Sequence, residues 1–160
     1  MVWMDWRIFT ERWLERAERE RGCVDDGDRF ISLWIAFNGW MSGRFGEALR
    51  DADKIKCLKD LQDFKDVFDR LREEDLGFRE SLDSLEGVPV TNMQFAKNRE
   101  QIHRYDGTFE SLVDVIYRVR CNLFHGRKNI DEDNKDFELV GLSYRILLPL
   151  FKAYLCANPS

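Results

Sequence analysis

Four polar side chains that could handle a phosphate group lie close together in residues 115–128, VIYRVRCNLFHGRK: Arg118, Arg120, Asn122 and His125. The planar fork of an arginine matches two phosphate oxygens, and a histidine can donate or accept a proton near neutral pH. RNA supplies its own nucleophile, the 2′-hydroxyl. An arginine that stabilises developing charge and a histidine that moves the proton could therefore cleave RNA without a metal.

The charge of this stretch differs from that of the chain. Residues 115–130 contain four Arg or Lys and no acid, whereas the whole chain has a net charge of −5. Arg127 and Lys128 follow the histidine after one glycine and could guide a phosphate backbone. The simpler alternative is a set of surface charges at a helix end with a capping histidine, and residue chemistry alone favours that alternative.

Helical geometry leaves two arginines in competition. At about 100° per residue, Arg118, Asn122 and His125 fall on one face of a helix. Arg120 is five residues before His125 and about 140° around the axis, although its long side chain could reach the helix end. In the last turn of a helix, the negative end of the dipole favours a protonated imidazole.

The elements that position these residues are predicted to be helical. Three prolines and ten glycines in 160 residues, with few consecutive β-branched residues, favour an all-α fold, and the length suits one domain over residues 1–160. Apolar periodicity predicts five or six helices in one bundle. They cover an amphipathic Trp-rich first helix, a central buried helix at 30–41, a helix at 52–71, a short one at 73–86, the helix at 108–125 and a last helix at 137–154.

Local signals refine this outline. Asp28 could cap the second helix, and Pro149 is expected to kink the last one. Thr108 is the expected N-cap of the key helix, with Ser111 as the alternative. Residues 87–107 lack periodicity and are predicted to be a long connection. Asn38 is one of two polar side chains inside FISLWIAFNGWM, so it either joins two helices or lines a polar cavity as a secondary site residue; joining helices is favoured.

Metal and cofactor sites are not expected. The four cysteines are widely spaced, without a C-x-x-C pair or a histidine cluster, and the acidic residues at 60–69 are most simply a solvated face. The negative charge argues against generic nucleic-acid coating and against binding to an anionic membrane. No signal peptide or membrane-spanning run is apparent, which predicts a cytoplasmic protein.

The segment resembles the motif of the HEPN superfamily (higher eukaryotes and prokaryotes nucleotide-binding), in which four to six residues separate an arginine from a histidine near a helix end. RCNLFH, from Arg120 to His125, has the four-residue spacing, and RVRCNLFH, from Arg118, has the six-residue one. FISLWIAFNGWM is also similar to a bacterial subgroup of this superfamily. Cys121 stands where many members have a polar residue after the arginine.

The resemblance implies an α-helical bundle, often a homodimer, with two Arg/His pairs meeting at the interface. Many such domains are metal-independent endoribonucleases of toxin–antitoxin, phage-defence or CRISPR-linked systems, whereas others have lost catalysis and bind nucleotides or proteins. The expected site is Arg120 and His125, supported by Arg118 and Asn122. RNA or a nucleotide is the expected ligand, and an antitoxin or another operon-encoded protein is a possible partner.

Overall fold

A computed structural model describes residues 4–19, 26–91, 102–124 and 134–159. His125, Arg127 and Lys128 lie outside these ranges. The described helices are α1 (Trp6–Glu18), α2 (Asp26–Phe45), α3 (Asp51–Lys59), α4 (Gln62–Glu74), α5 (Leu76–Leu85), α6 (Phe109–Phe124) and α7 (Asn134–Ala157). The predicted all-α bundle is confirmed, with seven helices in the described part of the chain rather than five or six.

Helix α2 is the central helix, as the sequence predicts. Phe30, Leu33, Phe37 and Met41 recur at three- and four-residue steps and are all buried, which is the pattern of a helix packed on several sides. It packs against α1, α3, α6 and α7. The ring of Phe37 meets that of Phe151 on α7 edge-on, with centroids 5.1 Å apart. Asp28 lies inside the first turn of α2 and is not its N-cap, so that expectation is wrong.

The single helix predicted at 52–71 is wrong, because α3 ends at Lys59 and α4 begins at Gln62. Leu61 between them is extended, with φ −80° and ψ 100°. Apolar residues three apart fall about 60° short of a full turn at each step, so the stripe from Ile55 to Phe64 drifts around a continuous helix. The break redirects the chain, and both Ile55 and Phe64 are buried.

The predicted connection at 87–107 contains a short strand pair. β1 (Val90–Thr91) pairs antiparallel with β2 (Ile102–His103), with Val90 opposite His103. Thr108 then caps α6 as expected, since its Oγ1 accepts a hydrogen bond of 3.2 Å from the backbone N–H of Ser111. The pair packs against α6 and so places His103 beside that helix.

Helix α7 completes the core. The part Glu138–Ala157 has a mean hydropathy of 1.4, so its length and composition alone would allow it to cross a membrane. However, 50 % of it is buried inside the bundle, where Ile146, Leu150 and Phe151 join the core. These buried residues make α7 a core helix of the bundle.

Candidate phosphate-binding site

Arg120 lies on α6 just before its last described turn, where three side chains hold its guanidinium. Nη2 is 3.1 Å from Oδ2 of Asp51, the first residue of α3. The guanidinium carbon lies 4.8 Å from the ring centroid of Phe124 and 5.8 Å from that of Trp34, within the range of cation–π attraction. The side chain is 23 % exposed, so it is fixed in place and still accessible to solvent.

The carboxylate of Asp51 has a second cation beside it. Nζ of Lys54 is 3.8 Å from Oδ1 of Asp51, and the Lys54 residue is only 5 % exposed. The same ammonium donates hydrogen bonds to Oγ of Ser42 at 2.8 Å and to Oδ1 of Asn38 at 3.5 Å. Asn38 therefore joins α2 to α3, which confirms its predicted structural role. Two intervening residues, Lys54 and Asp51, separate it from Arg120.

Positive charge exceeds negative charge in this group, since Arg120 and Lys54 share the single carboxylate of Asp51. Among the described residues, two further donors here have no hydrogen-bond partner: Nε of Arg120 and Nε1 of the buried Trp34. Buried donors are nearly always paired in folded proteins. The unpaired Nε of Arg120, together with the surplus positive charge, therefore favours an anion at this place.

Cys121 and Tyr117 complete the surroundings of Arg120. Nη1 of Arg120 lies 3.8 Å from Sγ of Cys121, a weak hydrogen bond to the residue at the position that departs from the motif. Burial, together with the neighbouring Cys121, raises the pKa of Tyr117 to about 12. Tyr117 is therefore a neutral hydroxyl at physiological pH and adds no negative charge to the group.

Arg118 belongs to a different environment. Burial and the charge of Arg118 lower the pKa of His103 on β2, while Asp114 opposes them. Asp114 itself forms a 2.5 Å ion pair with Lys59 at the end of α3. Because Arg118 and Arg120 are two residues apart, they point about 200° apart around α6. The structure thus separates the two candidate arginines.

The predicted site residues are therefore only partly brought together. Arg120 and Asn38 belong to the Asp51 group, whereas Arg118 lies on the His103 side. Asn122 is half-buried near the end of α6. The predicted roles of His125, Arg127 and Lys128 concern residues outside the described ranges and stay predictions.

Sequence reasoning missed Asp51 and Lys54, and it placed His103 just before the key helix without giving it a role. Nothing in the sequence links Asp51 to a residue 69 positions later. Lys54 carries one signal, since it precedes the buried Leu58 by four residues and so shares its helix face. His103 is one of only two histidines in the chain, which alone marks it for attention.

We also looked for a metal site and for a large groove among the described residues. They contain no group of three or more His, Cys, Asp or Glu side chains that could hold a metal ion. A broad groove of about 940 Å³ lies between α1 and the end of α7, and its lining includes Trp6, Trp40, Arg44 and Tyr154. Arg118, Arg120 and Asn122 do not line it.

The chain was compared with protein-family models, with curated proteins and with solved structures, and none of the three comparisons found a match.

Proposed function

We propose that this protein is a HEPN-like, metal-independent endoribonuclease, with Arg120 and His125 as its catalytic pair. The observation that carries the proposal is the position of Arg120. Asp51, Trp34 and Phe124 fix it near the end of α6 in a group with surplus positive charge. His125 follows five residues later in the sequence, at the spacing of the HEPN motif.

In this mechanism the 2′-oxygen of RNA attacks the adjacent phosphorus and the 5′-oxygen leaves, which gives a 2′,3′-cyclic phosphate and a 5′-hydroxyl end. His125 acts as the general acid or base. Arg120 donates hydrogen bonds to the phosphate oxygens, whose negative charge grows in the transition state. Arg118 and Asn122 assist. Arg127 and Lys128 guide the RNA backbone.

A symmetric homodimer is part of the proposal. A single Arg/His pair offers one proton-transfer group, whereas cleavage needs a base for the 2′-hydroxyl and an acid for the leaving oxygen. Two pairs that meet across a two-fold axis would supply both. The proposed setting is the cytoplasm, in a toxin–antitoxin or phage-defence system with an operon-encoded partner protein.

The test is incubation of the purified protein with RNA in EDTA. The wild type is expected to leave 2′,3′-cyclic phosphate ends, and His125→Ala should lower the cleavage rate about 10²–10⁴-fold. Arg70→Gln is the charge-matched control for Arg120→Gln, since Arg70 is an exposed arginine on α4. Equal cleavage by the wild type and His125→Ala would identify a contaminating nuclease and reject the catalytic role.

A second candidate function is a non-catalytic HEPN-like module that binds a nucleotide or a protein. The observation that favours it is the 3.1 Å ion pair between Arg120 and Asp51, which already satisfies part of the guanidinium. Calorimetric titration with nucleotides separates the candidates. Saturable heat without any RNA cleavage supports the binding module, whereas cleavage that depends on His125 supports the enzyme.

A further inference from the structure

We propose that Asp51 occupies the place of a phosphate, and that a phosphate anion displaces its carboxylate from Arg120 to bind between Arg120 and Lys54. The displacement is a change of ion-pair partner and breaks no covalent bond. We call this group of two cations, Arg120 and Lys54, and one carboxylate, Asp51, the Asp51 switch. Its identity as an RNA-phosphate site rests on the function proposed above, but binding of the anion can be measured without cleavage.

The balance of charges is the first argument. Lys54 is buried, and its single carboxylate partner among the described residues is Asp51, at 3.8 Å. That carboxylate lies closer to Arg120, at 3.1 Å. One negative charge thus serves two cations. Inorganic phosphate, or a terminal phosphate of RNA or of a nucleotide, carries up to two negative charges at neutral pH and has more acceptor oxygens than a carboxylate, so it matches the two cations better. An internal phosphodiester of RNA carries one negative charge and matches them only as well as the carboxylate does.

The unpaired donors are the second, independent argument. Nε of Arg120 and Nε1 of Trp34 lack hydrogen-bond partners among the described residues. Trp34 is 2 % exposed, so its N–H has little access to water. The guanidinium carbon of Arg120 lies over the Trp34 ring, 5.8 Å from its centroid, so the two side chains are neighbours. Asp51 leaves Nε of Arg120 unsatisfied, and an anion with more acceptor oxygens offers that guanidinium a further partner.

The side chains of the site differ in their exposure to solvent, and this difference shows from which side an anion can enter. The side chains of Asp51 and Arg120 are 32 % and 23 % exposed, while that of Lys54 is 6 % exposed. An anion can therefore approach Arg120 from solvent, with Lys54 lying deeper. Asp51 is also the first residue of α3, a nine-residue helix whose N-cap residue Arg50 forms no side-chain capping bond. The positive end of that helix favours an anion at the same place.

The Asp51 switch predicts that the free protein masks its own phosphate site. Asp51 competes with the ligand, so removing its charge should tighten anion binding even though it removes a contact from the folded protein. A purely structural ion pair predicts the opposite, since loss of the pair would loosen Arg120 and weaken any binding there. The sign of the change distinguishes the two.

The experiment measures binding of inorganic phosphate by calorimetry and by the rise in melting temperature, for wild type, Asp51→Asn and Asp53→Asn. Asp53 is the matched control, because it is in the same helical turn, its side chain is also 32 % exposed, and its ion-pair partner is Arg50. Asp51→Asn should bind phosphate about fivefold or more tightly than wild type, the size of a partly exposed ion pair. Asp53→Asn should change the affinity less than about twofold.

A double variant checks that the tighter binding depends on Arg120. Adding Arg120→Gln to Asp51→Asn should abolish the increase in phosphate affinity.

Equal affinities of Asp51→Asn and Asp53→Asn, or weaker binding by Asp51→Asn, would overturn the switch. Circular dichroism checks that each variant is folded. All binding is repeated in the His125→Ala background, where the proposed cleavage is absent. Tighter binding by Asp51→Asn without any RNA cleavage by wild type would reject the proposed function and keep the switch. Cleavage by wild type with no difference between the two Asp variants would reject the switch alone.

Discussion

Arg118 and Arg120 are two residues apart on one helix, and each has a buried Nε without a partner among the described residues, yet their surroundings differ. Arg120 has a carboxylate at 3.1 Å and the rings of Trp34 and Phe124 close by. Arg118 lies near His103, whose pKa it lowers. Asp114, the acid of that neighbourhood, is already paired with Lys59 at 2.5 Å.

This difference shows what spacing in a sequence cannot resolve. By motif spacing both arginines qualify, and by helical angle Arg118 is the better partner for His125. The structure shows that two rings and a carboxylate hold Arg120. The rings provide the kind of preorganisation that a catalytic arginine requires, whereas the carboxylate would compete with a phosphate for the guanidinium. Arg118 has an uncharged histidine as its neighbour at neutral pH, because the lowered pKa of His103 favours the neutral imidazole.

The largest expected effect is a difference in RNA cleavage rate between variants of the two arginines. Arg120→Gln should lower single-turnover RNA cleavage about 10²–10³-fold, the usual loss for a donor to developing charge. Arg118→Gln should lower it about tenfold or less, because Arg118 assists from another face. The measurement is the first-order cleavage rate in EDTA, with Arg70→Gln as control. The reverse order of the two rates would assign the site to Arg118.

The second prediction compares the stability that each acid provides and does not depend on function. Asp51→Ala leaves the buried Lys54 without its carboxylate and should lower the free energy of unfolding by about 1–3 kcal/mol. Asp114→Ala breaks a pair whose side chains are 27 % and 35 % exposed, and should cost about 0.2–1 kcal/mol. Urea unfolding at pH 7 measures both values.

The control for this stability difference is Lys54→Met. If the cost of Asp51→Ala arises from the stranded ammonium, the double variant Asp51→Ala/Lys54→Met should lose much less than the two single variants together. Additive losses would show that Asp51 stabilises the bundle by some other interaction, such as its position at the start of α3.

Local signals in the sequence predicted much of the fold. The nearly continuous apolar character of 30–41 predicted the buried α2, and the hydroxyl of Thr108 predicted the start of α6. The break at Leu61 was not predicted, because its residue types are ordinary for a helix and no Gly or Pro marks it. Helix packing, which requires both Ile55 and Phe64 to be buried, imposes it.

The candidate site was less predictable, because its charge partners are distant in sequence. Neither Asp51, which lies just outside the helix predicted at 52–71, nor Lys54 within it was a candidate site residue. The role of Asp51 depends on α3 lying beside α6, a contact that only the tertiary fold establishes. Local pattern can therefore nominate Arg120 and His125, but it cannot show which carboxylate competes for the arginine.

The smallest expected effect is a pH dependence of the free energy of unfolding, caused by the titration of His103 beside Arg118. Burial, Arg118 and Lys59 lower the pKa of His103 below 6.5, and Asp114 only partly opposes them. The unfolded chain therefore binds more protons than the folded one between the lowered pKa and 6.5, so stability falls as the pH is lowered through that window.

The variant His103→Gln removes this linkage. The free energy of unfolding of the wild type, relative to that of His103→Gln, should decrease from pH 7.5 to pH 5, and urea titrations at the two pH values measure the change. Adding Arg118→Gln should weaken the pH dependence, because it removes a cation that opposes protonation of His103. An unchanged dependence would mean that burial and Lys59 keep His103 neutral without Arg118, and the assignment of Arg118 to the His103 side would lose its electrostatic support.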